Sequence, residues 1–166
     1  MGYKTEWLKG IFPALVTPFT ADDRVDEAAF RELIRFVLPH VDGVVPCGTT
    51  GEFSYLTLDE RKQVLEICLD EVAGRVPVLA GTGCTSTRET VALTAWAKEA
   101  GAKAALIVAP YFLKPTFNEV YDHFKAVDDE VMIALATVHP RALDRHSLYQ
   151  SVYAAAAQAL TQVFAG

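Results

Sequence analysis

Residues Val44–Glu52 read Val-Val-Pro-Cys-Gly-Thr-Thr-Gly-Glu, an apolar run that ends in two threonines between glycines. Apolar, β-branched residues that lead into glycine are typical of a buried strand followed by a tight turn. In proteins built from βα units, ligands bind where the strands end. The hydroxyls of Thr49 and Thr50, with the backbone N–H groups that begin at Gly48, are suited to hold one carboxylate. The turn therefore predicts an anion site; the alternative is that its threonines only stabilise a turn.

Four apolar runs recur along the chain at intervals of about thirty residues, which is the length of a βα unit. They are Ile11–Val16, Gly43–Cys47, Val76–Gly81 and Ala104–Ala109. An amphipathic stretch with helical spacing follows each run. These stretches are Glu27–Leu38, Leu58–Val72, Thr87–Ala100 and Phe117–Val127. The pattern predicts a parallel sheet with right-handed crossovers, because strands covered by helices on both faces are apolar throughout.

The starts of the predicted helices carry capping signals. The sequences Thr57–Glu60, Ser86–Glu89 and Thr116–Glu119 each match the Ser/Thr-x-x-Glu capping box. Asp26 is a suitable N-cap for the first helix. Because three boxes fall at matching places in successive units, they support the same helix boundaries as the apolar pattern.

Composition limits the class of protein. The chain has 166 residues, of which 51% are hydrophobic, and a formal charge of -6. This predicts one soluble globular domain that binds neither nucleic acid nor an anionic membrane surface. Three cysteines without CxxC spacing, and no apolar leader after Met1, predict a reducing, cytoplasmic location. No metal site is expected, because the histidines and cysteines lack ligand spacing.

Two architectures satisfy the βα pattern, a (β/α)8 barrel and an open doubly wound sheet. A barrel takes roughly 250 residues in typical cases, so length alone favours the open sheet. The segment Gly81–Ser86 also invites a dinucleotide-binding interpretation. Ser86 stands where that motif has its third glycine, and the run is the third rather than the first, so a turn into a capped helix is the better interpretation.

From about Gly10 to Val127 the chain resembles the dihydrodipicolinate synthase / N-acetylneuraminate lyase family. The matching motifs, in order, are Phe12–Phe19, Gly48–Glu52, Ala80–Gly83, Ala109–Phe112 and Tyr121–Phe124. The resemblance implies a (β/α)8 barrel, here incomplete with about four to five βα units. It also implies a pyruvate-dependent aldolase or lyase that works through a lysine Schiff base. Such an enzyme needs no cofactor, takes pyruvate and an aldehyde, and forms a homo-oligomer.

The resemblance assigns roles to individual residues. Thr49 and Thr50, with Gly48, hold the pyruvate carboxylate; Tyr111 assists proton transfer; and Phe112 and Thr17 line the site. In the synthase branch the position of Phe112 is often a tyrosine that relays protons toward a neighbouring subunit. Because Phe112 cannot carry a proton, the sequence leaves room for another aldolase branch.

The tail after the fourth unit departs from the family pattern. Val131–Val138 fits the fifth strand, with Ala136 in place of the catalytic tyrosine and Arg141 on the arginine that follows. Ile133–Val138 followed by Pro140–Leu143 also fits the eighth strand and its helix, and this alignment is preferred. The predicted organisation is an N-terminal half-barrel over residues 1–127. A tail of β5α5-like or, by preference, β8α8-like sequence follows over residues 128–166, after an internal deletion near Asp128–Glu130.

The strand that carries the Schiff-base lysine of the family is not found in this sequence. The lysines present are Lys4, Lys9, Lys62, Lys98, Lys103, Lys114 and Lys125. Only Lys114 is placed by the pattern in a loop on the catalytic side, and a solvated loop lysine keeps its charge, which opposes imine formation. The alternative to an enzyme is a non-catalytic half-barrel that associates with itself through its unclosed sheet. An open-sheet nucleotide-binding domain is the weakest candidate.

Overall fold

The computed structural model describes residues 7–112, 115–130 and 134–137, with side chains as far as Val127. Its helices are α1 (Glu27–Val37), α2 (Leu58–Val72), α3 (Thr87–Ala100) and α4 (Phe117–Glu130). Its regular strands are β1 (Leu79–Gly81), β2 (Ala104–Val108) and β3 (Ala134–Thr137). Short 3₁₀ turns span Leu38–His40, Thr49–Gly51 and Phe53–Tyr55. None of the helices described is long and apolar enough to cross a membrane.

The strands form a parallel sheet in the order β1-β2-β3. Two isolated parallel bridges, Ala14 with Val45 and Val44 with Val78, extend the same arrangement toward the N-terminus. The expectation of regular strands at Ile11–Val16 and Gly43–Cys47 was wrong, since only these bridges form there. Prolines explain the interruption: Pro13, Pro46 and Pro77 accept sheet-type hydrogen bonds through their carbonyls but have no N–H to return.

The helix predictions are confirmed within a few residues. The Thr57 hydroxyl accepts from the Glu60 N–H, and the Glu60 carboxylate accepts from the Thr57 N–H, which completes the capping box of α2. Asp26 caps α1, and Ser86 caps α3. The helix α4 continues to Glu130, three residues beyond the predicted Val127.

The core lies between the helices and the sheet. The largest cluster packs one face of α1 and α2 against the apolar runs, with Phe30, Ile34, Val44, Val64 and Leu65 fully buried. A second cluster packs Val120, Phe124 and Val127 of α4 against Ala105 and Ile107 of β2. Because all strands run in one direction, the loops that follow them collect at one edge of the sheet, where the Gly-Thr-Thr-Gly turn lies.

Candidate active site

The Gly-Thr-Thr-Gly turn is held in a fixed and partly strained conformation. Cys47 and Glu52, on either side of it, both adopt positive φ, 55° and 57°. The residues between them form a single 3₁₀ turn over Thr49–Gly51. Beneath it, the buried Thr17 hydroxyl donates to the Gly51 carbonyl at 2.8 Å. Left-handed backbone at residues other than glycine is disfavoured and clusters at functional sites when surrounding contacts enforce it.

The polar groups of this turn are available to a ligand. The side chains of Thr49 and Thr50 are exposed, and their hydroxyls bond to no other described residue. The backbone bonds of the turn are donated by Gly51 and Glu52, so the N–H groups of Thr49 and Thr50 have no backbone acceptor in the described part of the chain. Two hydroxyls and two amides at the start of a helical turn are a suitable set of donors for one carboxylate.

A small cavity lies against the turn. Its volume is about 40 Å³, enough for a few water-sized groups and therefore for the atoms of a carboxylate. Its lining is Cys47, Gly48, Thr49, Phe53, Gly83, Leu106 and Val108. These residues come from the turn, from the segment after β1 and from β2, so the cavity sits at the carboxyl ends of the strands. Thr50 belongs to the same turn but does not line the cavity, and Thr17 supports the turn through its bond to Gly51 rather than lining the cavity.

Tyr111 and Phe112 follow β2 at the same edge of the sheet. The Tyr111 ring meets the Phe53 ring edge to face, with centroids 5.9 Å apart. Burial raises the pKa of Tyr111, so its phenol is protonated near neutral pH. Phe112 is 94% exposed and has a φ of 46°. The two aromatic residues also border a larger cleft between the starts of α3 and α4, with Ser86, Thr87 and His123.

Arg61 lies behind the cavity, in contact with the lining residue Phe53, and is not among the residues that the sequence motifs indicate. It is 3% exposed, and its guanidinium lies 5.1 Å from the centre of the Phe53 ring. Its Nη2 donates to the Gly81 carbonyl at 2.8 Å, and its Nη1 donates to Cys84 Sγ at 3.2 Å. A signal was present in the sequence, because Arg61 falls on the apolar stripe of α2 that continues at Val64, Leu65 and Cys68.

The cysteines near the site are packing residues. Cys47 donates to the Arg61 carbonyl at 3.7 Å, and burial raises the pKa of its thiol to about 12, which keeps it protonated. Cys47, Cys68 and Cys84 are buried free thiols. Among the described residues no group of three potential metal ligands comes together.

The lysines that the structure describes lie away from the cavity. Lys62 rests over Trp96 at 5.6 Å, and Lys103 rests over Trp7 at 5.8 Å, near the start of β2. Lys98 lies in the last turn of α3. Lys114, the only lysine that the sequence placed on the catalytic side, lies outside the described residues, as does Arg141 of the tail. Ala136 lies in β3, paired with Ile107 of β2.

The sequence of this chain is similar to a known family and to proteins of known name. The family model described as "Dihydrodipicolinate synthetase family" matches residues 7–134. A 4-hydroxy-tetrahydrodipicolinate synthase from Nitratidesulfovibrio vulgaris is 53% identical over 123 residues, which cover 74% of this chain and 42% of that protein. The chain therefore spans less than half the length of this relative.

Solved structures give the same result. The dihydrodipicolinate synthase from Acinetobacter baumannii, crystallised with pyruvate, superposes with a TM-score of 0.77 at 38% identity, over 80% of this chain and 46% of that one. N-acetylneuraminate lyase from Mycoplasma synoviae superposes with a TM-score of 0.78 at 30% identity, over 91% of this chain and 52% of that one. The predicted fold, an incomplete (β/α)8 barrel, is confirmed by these neighbours. With its match over residues 7–134, this chain belongs to the dihydrodipicolinate synthetase family.

Proposed function

We propose that this chain carries the carboxylate-binding half of a pyruvate-dependent, Schiff-base aldolase or lyase. The observation that carries the proposal is the small cavity against the Gly-Thr-Thr-Gly turn, at the carboxyl ends of parallel strands, beside hydroxyls and amides that have no partner in the described part of the chain. The names of the relatives support it, because they are synthases of the lyase class, and one solved relative was crystallised with pyruvate.

In this proposal, Thr49 from the cavity lining and Thr50 from the adjoining position of the turn donate hydrogen bonds to the two carboxylate oxygens of pyruvate, and Gly48 lets the backbone approach closely. The carboxylate then fixes the direction of the 2-oxo group, so that its carbonyl carbon is presented to an amine. Tyr111 is protonated and lies at the edge of the site, where it can donate a proton to a developing alkoxide or relay one from solvent. An aldehyde is the second substrate.

The imine requires a neutral lysine close to the bound carbonyl. None of the lysines in the described part of the chain lines the cavity. We therefore expect the chain to bind pyruvate without forming the imine.

Mass spectrometry after borohydride treatment tests this expectation. The purified chain is mixed with pyruvate and sodium borohydride, and its intact mass is compared with the unmodified 18.1 kDa. A parallel NMR titration measures pyruvate binding, with propionamide as a neutral control. Binding without a reduced adduct is the expected outcome. An adduct would assign the imine to a lysine of this chain, with Lys114 the first to replace, and the absence of pyruvate binding would contradict the proposed function.

The organisation of the whole protein is also a proposal. We propose that residues 1–127 form the half-barrel unit and that residues 128–166 derive from a later, β8α8-like part of the barrel. The parallel pairing of β3 with β2 fits either this origin or a fifth strand, since each places the next strand beside β2.

We also propose that the protein is cytoplasmic and forms a homo-oligomer. The exposure of Phe112 supports an oligomer, because aromatic side chains are enriched at protein interfaces. Sedimentation velocity of the chain and of Phe112→Ser tests this. The variant is expected to dissociate at concentrations at which the unmodified chain does not, and a monomeric unmodified chain contradicts the proposal.

A further inference from the structure

Arg61 is unusual among the buried residues because it is a cation without an anionic partner. It forms no ion pair with any described residue, whereas the surface arginines Arg31 and Arg35 share Glu71. Its guanidinium Nε is buried and has no hydrogen-bond partner in the described part of the chain. Burying an arginine costs free energy of folding unless hydrogen bonds and an opposite charge compensate for the lost contact with water.

The contacts of Arg61 surround the candidate carboxylate cavity on its protein side. Phe53, whose ring lies over the guanidinium, lines the cavity and also supports Tyr111. Cys47, another lining residue, bonds to the Arg61 carbonyl. The Gly81 carbonyl, which accepts from Arg61, ends β1 two residues before Gly83 of the lining. Arg61 thus joins these parts of the site, through its main-chain carbonyl at Cys47 and through its guanidinium at Gly81 and Phe53.

The charge of Arg61 also acts on two titratable groups near the cavity, the Cys47 thiol and the Tyr111 phenol. Arg61 acts to lower the pKa of the Cys47 thiol and of the Tyr111 phenol, although burial outweighs it at both groups. A positive charge inside a water-poor region acts over longer distances than one at the surface, because solvent and salt screen it less.

We propose that Arg61 is a positioning residue that makes the cavity selective for a carboxylate. Its charge stabilises an anion held by the Thr turn, and its planar fork fixes Phe53 and the Gly81 carbonyl, so that Tyr111 keeps its place beside the ligand. Arg61 does not touch the ligand in this arrangement. The inference rests on the proposed function, because it names what selects the carboxylate of the 2-oxo acid.

The test compares pyruvate with pyruvamide, its neutral analogue, in NMR titrations of Arg61→Met, Arg61→Gln and Arg61→Lys. The control variant is Arg88→Met, which removes the same charge from an exposed position on α3. We expect Arg61→Met and Arg61→Gln to bind pyruvate about tenfold more weakly, equivalent to about 1.4 kcal/mol, with pyruvamide binding changed less than about twofold. Arg61→Lys restores most of the preference for pyruvate, and Arg88→Met leaves both ligands unaffected.

An equal loss for both ligands assigns Arg61 a purely structural role and overturns the inference, as does unchanged binding of pyruvate. Arg61→Gln retains a donor for the Gly81 carbonyl and serves as the test if Arg61→Met does not fold.

Failure of the proposed function is recognised separately, because the unmodified chain would then bind neither ligand. In that case the phenol titration of Tyr111, isolated by difference from Tyr111→Phe, tests the electrostatic part of the inference, which is that the charge of Arg61 acts on groups at the site. Its pKa is expected to rise in Arg61→Gln, and an unchanged pKa overturns the inference.

Discussion

The rings of Phe53 and Tyr111 meet edge to face, with centroids 5.9 Å apart, although the two residues lie in different βα units of the chain. Phe53 follows the Gly-Thr-Thr-Gly turn, and Tyr111 follows β2, so this contact joins two strand ends that the sequence presents as separate motifs. Edge-to-face aromatic pairs contribute about 0.5 to 1.5 kcal/mol beyond their buried area. The contact also places the only proposed proton-transfer group beside the wall of the cavity.

Thr49→Val is expected to weaken pyruvate binding about tenfold, because a hydrogen bond to a charged group contributes about 1.5 kcal/mol or more. Thr50→Val is expected to act in the same direction. Neither substitution should alter the unfolding midpoint, since both side chains are exposed and bond to no other described residue. NMR titration with pyruvate measures the affinity, and Ser54→Ala, an exposed hydroxyl just beyond the turn, is the control. Wild-type affinity in Thr49→Val would contradict the assigned role.

Gly81→Ala is expected to destabilise the chain by about 1 to 3 kcal/mol or more, as overpacking of a well-packed site does. A methyl group at Gly81 would collide with the Cys47 carbonyl, a backbone group rather than the end of a flexible side chain. Gly48→Ala is the matched control, because its added carbon would lie 3.8 Å from the nearest atom, a side-chain carbon of Leu106. Urea unfolding of both variants checks the difference. Equal stabilities would mean that the two strand ends are less closely packed than described.

Thr57→Ala is expected to lower the free energy of unfolding by about 1 kcal/mol, as the loss of an N-cap does. The hydroxyl of Thr57 accepts from the Glu60 N–H at 3.2 Å at the start of α2. That helix carries Arg61, so the substitution also tests whether the helix start supports the site. Thermal unfolding is the measurement, with Thr85→Ala, at an exposed loop position, as the control. A loss no larger than that of Thr85→Ala would show that the capping box does not stabilise α2.

His123 is expected to make the fold less stable as the pH falls below about 6.5, the ordinary pKa of histidine. It is 1% exposed, with Nδ1 bonded to the Thr87 hydroxyl at 2.9 Å and Nε2 without a partner among the described residues. Burial lowers the pKa of this imidazole. As the pH falls, His123 therefore binds a proton in the unfolded chain at a higher pH than in the folded chain. The stability contributed by neutral His123 is present above the unfolded pKa and is lost as the pH falls toward the folded one.

Urea unfolding near pH 7.5 and pH 5.5, values chosen to lie about one unit on either side of that pKa, measures the effect. His123→Gln, which stays neutral and can still bond Thr87, is expected to lose less stability between the two conditions than the unmodified chain. His40→Gln at an exposed position is the control. Equal pH dependence of His123→Gln and the unmodified chain would remove His123 as the cause.

The sequence by itself determined the helices, the parallel order of the units and the position of the Gly-Thr-Thr-Gly turn at one edge of the sheet. Local chemistry was enough for this, because apolar spacing and capping side chains act within one or two turns of the chain, as the complete Thr57–Glu60 box shows. The carboxyl-end position of Thr49 and Thr50 followed from the rule that parallel strands end at one edge.

The tertiary structure decided the features that depend on contacts between distant segments, which local sequence patterns do not contain. It replaced the first two predicted strands by isolated bridges, since the carbonyls of Pro13 and Pro46 accept from neighbouring segments while the prolines have no N–H to return. It also buried the Arg61 guanidinium among Phe53, Gly81 and Cys84. The helix pattern places Arg61 on the inner face of α2, but only contacts with distant segments determine whether its charge is exposed to solvent or buried.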